Sequence, residues 1–79
     1  MPYNYIKHAE RIENDLRVLG HVDHVKNIEA ARLGGSTSGE ILMGIRSHAE
    51  KIIQGTIDLP QSLRKDIHIL IDLINQSGV

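Results

Sequence analysis

Histidine is the residue of this chain best suited to chemistry, because its imidazole titrates near neutral pH and can take up a proton, a metal ion or a phosphoryl group. There are five: His8, His21, His24, His48 and His68. His21 and His24 stand three residues apart, which on a helix turns both rings to one side and can put two imidazoles on one metal. Two ligands do not complete a site. Asp23 points elsewhere on the same helix, so a third ligand has to come from another element, with His68 and Asp72 as the candidates. A metal-binding helical protein through His21 and His24 is therefore one reading of function. The expectation set against it is that His21 and His24 are ordinary surface or boundary histidines and that no metal is bound.

A second reading starts from His48, which is followed three residues later by Lys51. This H-x-x-K turn, on a helix of an expected four-helix bundle, resembles the histidine phosphotransfer domains of two-component relays. The resemblance implies an exposed His48 that accepts phosphate and a Lys51 that helps to hold its charge. It covers this one turn and departs at Ile52, where that family's motif has a glycine that leaves room beside the histidine. The chain is also shorter than those domains usually are. On a helical wheel His48 falls at the margin of the apolar stripe, where a histidine can pack its ring and keep its polar edge wet.

Other constellations carry less. The run Gly34-Gly35-Ser36-Thr37-Ser38-Gly39 leads into a helix, and backbone N–H groups at a helix start can cradle an anion. It lacks the Lys and following Ser or Thr of a phosphate-binding loop, and Glu40 puts negative charge where a phosphate would approach. Thr37 followed three residues on by Glu40 fits a capping box, so the run is expected to be a connector that caps the next helix. No cysteine is present, which excludes a thiolate nucleophile, a disulfide or Cys-ligated zinc. No Ser-His-Asp or paired-carboxylate arrangement stands out from the spacing, and neither an enzyme nor a cofactor is expected.

The elements that position these residues come from periodicity. Tyr5, Ala9, Ile12, Leu16 and Leu19 step by four and three, the stripe of an amphipathic helix that Gly20 then ends. A less cleanly striped helix carries Val22, Val25, Ile28, Ala31 and Leu33 and stops at Gly34-Gly35. Ile41, Leu42, Ile45, Ala49, Ile52 and Ile53 share about a third of the wheel of a third helix, closed by Gly55. Leu63, Ile67, Leu70 and Ile74 mark a fourth that begins near Pro60, a residue suited to a first turn because its missing N–H would be unpaired there. The predicted helices run over about 3–19, 21–33, 38–54 and 60–76. Joined by short polar connections, they imply an all-α, single-domain antiparallel four-helix bundle. Twelve isoleucines and no Phe or Trp make its core aliphatic. His8-Ala9-Glu10-Arg11-Ile12 recurs as His48-Ala49-Glu50-Lys51-Ile52, but the flanks align poorly, and coincidence among ordinary helix formers is expected ahead of a duplicated hairpin.

Composition excludes further classes. Nine Lys and Arg against ten Asp and Glu, with signs alternating along the chain, leave no basic stripe of the kind that gives duplex binders their affinity. No nucleic-acid partner is expected. The apolar stretch from Ile67 to Ile74 is broken by His68 and Asp72 and falls far short of the ~20 residues that span a bilayer. The first residues lack an apolar signal core, so a cytoplasmic protein is expected. Seventy-nine residues bury only roughly 60% of their unfolded surface, and such a core gains from added contacts.

One pair points to a partner. Ile69 and Leu73 lie four apart on the fourth helix, roughly 90° to 130° from the middle of its main stripe. A helix apolar on two faces must bury both, either between neighbouring helices or against another chain. Ile69 and Leu73 are accordingly the candidate partner-binding residues. The sequence reads best as a small non-enzymatic protein–protein interaction module, of the regulator, adaptor or immunity-type inhibitor kind. A second copy joined through the fourth helix is one candidate partner.

Overall fold

Asn4 starts the first helix: its side-chain oxygen accepts the Lys7 N–H at 3.0 Å, satisfying a donor that the first turn leaves free. In the computed structural model, which describes residues 3–55 and 57–79, α1 (Tyr5–Val18) therefore begins at the first residue of its stripe, two residues later than the predicted range of 3–19. It ends in a Schellman motif. Gly20 adopts φ +85°, its N–H bonds the Arg17 carbonyl, and the His21 N–H bonds the Leu16 carbonyl, each at 3.0 Å. α2 (Val22–Gly34), α3 (Ser38–Gln54) and α4 (Gln61–Gln76) lie within a residue of their predicted limits, and no strand occurs among the described residues.

The start of α3 differs from a reciprocal capping box. Thr37 Oγ1 accepts the Glu40 N–H as expected, but the Glu40 carboxylate reaches one residue further back, to the N–H and hydroxyl of Ser36 at 3.1 and 2.8 Å. These bonds hold the Glu40 carboxyl below its ordinary pKa. Pro60 stands at the N-cap position of α4, one residue before the first turn expected for it, and its side chain offers no acceptor for a capping bond.

The four stripes meet in one core of Ala9, Ile12, Leu16, Val25, Ile28, Ile45, Ala49, Ile52, Leu63, Ile67, Leu70 and Ile74, with Leu59 from the last connection as a plug. Each helix packs on its two neighbours in the cycle α1–α2–α3–α4–α1. Contacts between α1 and α4 pair in reverse order: the Tyr5 hydroxyl donates to the Leu73 carbonyl, and His8 and Arg11 meet Asp66. No helix among the described residues is long and apolar enough to cross a membrane.

Three residues of the predicted stripes are exposed: Leu19, Val22 and Leu33. Leu19 lies past the last helical residue of α1, where the turn through Gly20 carries it off the core. Val22 opens α2 and Leu33 sits one residue before its end, where the neighbouring helices no longer cover it.

The α2–α3 turn depends on a close approach. A Cβ on Gly35 would stand 2.6 Å from Ile41 Cγ1 and 2.9 Å from the Ile41 backbone nitrogen, whereas one on Gly34 would meet nothing within 4 Å. Gly35→Ala is expected to destabilise the fold by about 1 to 3 kcal/mol. Gly34→Ala, at a helical position, should be neutral or slightly stabilising. Urea titrations of the two variants check the contrast, and equal midpoints would show that the turn opens at no cost.

Candidate functional site: the seam between the first and last helices

Where α1 meets α4, both helices present residues from the margins of their stripes. At 100° per residue, His8 and Glu13 lie about 70° to either side of the centre of the α1 stripe, so one faces each neighbour. His8 is 2% exposed and turns towards α4. Its Nε2 stands 2.8 Å from an Asp66 oxygen, and the Tyr3 hydroxyl bonds its Nδ1. A neutral ring that donates from Nε2 and accepts at Nδ1 satisfies both contacts. Arg11 closes the group with a fork on Asp66, Nε at 3.2 Å and Nη2 at 2.9 Å. Burial pushes the Asp66 carboxyl up, but the bonds from Arg11 and His8 more than offset this and hold it below the usual carboxylate range. The same carboxylate keeps Arg11 more firmly protonated.

Glu13 does the corresponding work towards α2. It is also 2% exposed, and Arg32 grips both its oxygens at 2.8 and 3.1 Å. Residue type and spacing assign no role to His8, Glu13, Asp66 or Arg32. The signal that could find them is their phase, since ionisable residues beside an apolar stripe stand where neighbouring helices touch.

Ile69 and Leu73 both lie on the α1 side of α4, and the structure separates their roles. Leu73 is half-buried, and its carbonyl takes the Tyr5 hydroxyl at 3.3 Å. Ile69 is 43% exposed and borders a groove along the seam with Arg11, Asp15, Ser62, Lys65 and Asp66. Asp15, Ser62 and Leu63 continue into a second groove of about 260 Å³ towards the end of the bundle, where Val18, Leu19 and Pro60 complete its walls. Val18 is 87% exposed. The seam thus combines a polar clasp, buried at His8 and open at Arg11, with a surface bordered by exposed apolar side chains.

The other histidines lie away from this seam's clasp. The rings of His21 and His24 are 6.2 Å apart between centroids, and no three His, Cys, Asp or Glu residues come together as a metal site among the described residues. His68 is exposed on α4. His48 is half-buried, and burial, aided by the Lys51 charge, lowers its pKa. Comparison of the chain with protein-family models, with curated proteins and with solved structures gives no match.

The polar contacts of α1 towards α4 and α2 make testable demands. Asp66→Ala leaves the buried His8 Nε2–H without an acceptor and should cost about 1 to 3 kcal/mol. Because the folded-state pKa of Asp66 is depressed, its contribution is complete above the ordinary carboxylate range and is lost as pH falls through the lower folded value. Chemical denaturation from neutral to acidic pH should show a shallower acid decline in Asp66→Asn than in the parent; parallel declines would exclude Asp66 as a source of the acid sensitivity. Towards α2, Glu13→Ala strands the mostly buried Arg32 and should cost about 3 to 5 kcal/mol, whereas Glu13→Leu with Arg32→Leu should fall near the parent in the same denaturant series.

Proposed function

We propose that this chain is a small non-enzymatic interaction module of the cytoplasm that works by binding another polypeptide along the α1–α4 seam. The observation that carries this reading is the placement of exposed Ile69, Val18 and Leu19 along one continuous pair of grooves. Large apolar side chains standing singly on a surface need no explanation, but several along one groove with charged residues beside them have the form of a contact surface. Leu73 lines neither groove and is half-buried, with its carbonyl bonded to Tyr5, so Ile69 is the contact residue on α4.

Ile69→Ser with Val18→Ser should leave the thermal melt of the free protein nearly unchanged, within about 0.5 kcal/mol for each exposed site. The same double variant should lose the polypeptide that the immobilised parent retains. Retention undiminished in a variant that melts like the parent would overturn the seam as the contact surface.

A further inference from the structure

The partner left open by the interaction reading has a specific chemistry. Resting on that reading, we infer that the polypeptide taken by the seam is a second copy of this chain, related to the first by a twofold axis running along the groove.

Charge supplies the first reason. Asp15 on α1 and Lys65 on α4 are both exposed and border the same groove, and neither forms an ion pair among the described residues. A twofold axis along the groove lays α1 of one copy over α4 of the other. Asp15 of each copy then faces Lys65 of the second, and a contact made once is made twice. The patch carries both signs in the arrangement that self-recognition needs, whereas a uniformly charged partner would meet repulsion at one of the two.

Shape supplies the second. Val18 protrudes at the lip of a groove whose floor is the buried Leu63 and whose walls include Leu19 and Pro60. The same rotation that joins the charges presents Val18 of each copy to the groove of the other. Arg11 and Asp66, which would be covered in the middle of such an interface, already satisfy each other through two hydrogen bonds, so covering them strands no charge. A core this small also gains from the apolar area a dimer adds.

Sedimentation equilibrium over a range of concentrations tests the assignment. The parent should show a monomer–dimer equilibrium that weakens as salt is raised. Asp15→Lys places two lysines opposite each other twice over, and Lys65→Asp does the same with aspartates; each alone should weaken association by roughly tenfold or more. An equimolar mixture of the two should associate again as a mixed dimer, since one chain then carries Lys at both positions and the other Asp at both. That recovery would also show both variants to be folded. A parent monomeric up to about 1 mM, or a mixture no tighter than its components, overturns the second-copy assignment. If the parent is monomeric yet retains a different polypeptide in an Ile69-dependent way, only this assignment falls; if it retains nothing, the interaction reading falls with it.

Discussion

The contact between His8 and Asp66 closes the bundle. Every other pair of neighbouring helices is consecutive in the chain and is brought together by a short connection, but α1 and α4 are joined across 58 residues. The entropy lost in closing so long a loop has to be offset by contacts at the seam itself. An aliphatic stripe supplies attraction with little angular preference, because dispersion between Ile and Leu side chains is non-directional. The buried imidazole adds direction. Its Nε2 meets Asp66 in the observed register of α1 on α4, while Tyr3, from the residues just before α1, covers Nδ1.

Similar polar clasps recur at two further contacts. Glu13 and Arg32 fix α1 on α2, and Arg46 reaches Asn75 across the α3–α4 contact at 2.8 Å. At the α2–α3 contact the device is steric instead. Gly44 lets α3 approach α2 until a Cβ at that position would stand 3.0 Å from the Ala31 Cβ. With no Phe, no Trp and no disulfide, the chain specifies its packing through small residues and a few well-satisfied polar groups, and no buried side-chain nitrogen or oxygen among the described residues is without a partner. The clasps are better regarded as setting register than as large net sources of stability, since desolvation consumes much of the attraction of a buried pair.

The helices are legible in the sequence because their signals are local. Apolar spacing of three and four places Ile12, Leu16, Ile45, Ile52, Ile67 and Ile74 in the core, and Gly20 and Thr37 mark ends that the backbone confirms. The echo between residues 8–12 and 48–52 reflects the same phase: Ala9 and Ala49, like Ile12 and Ile52, are buried in equivalent places, while His8 is enclosed and His48 only half so. That difference is not legible. It depends on what the neighbouring helix brings to the margin of the stripe, which for His8 is Asp66, and residues that far apart carry no mutual signal in a single sequence. Ile69 is visible as an apolar residue off its stripe, whereas Asp15, Val18 and Lys65 become a surface only once α1 and α4 are set side by side.

The seam is a joint closed from within by a buried histidine, and its outward surface is the one we propose for contact with a second copy. A dilution series of amide ¹H–¹⁵N spectra tests this most directly, because it reports on backbone amides throughout the chain, prolines apart, without altering any residue. Concentration-dependent shifts should concentrate at Asp15, Val18, Leu19, Ser62, Lys65 and Ile69, while the amides of the α2–α3 face around Leu33 and Met43 stay fixed. Shifts centred on Leu33 and Met43, or spectra that do not change with concentration, would contradict the account.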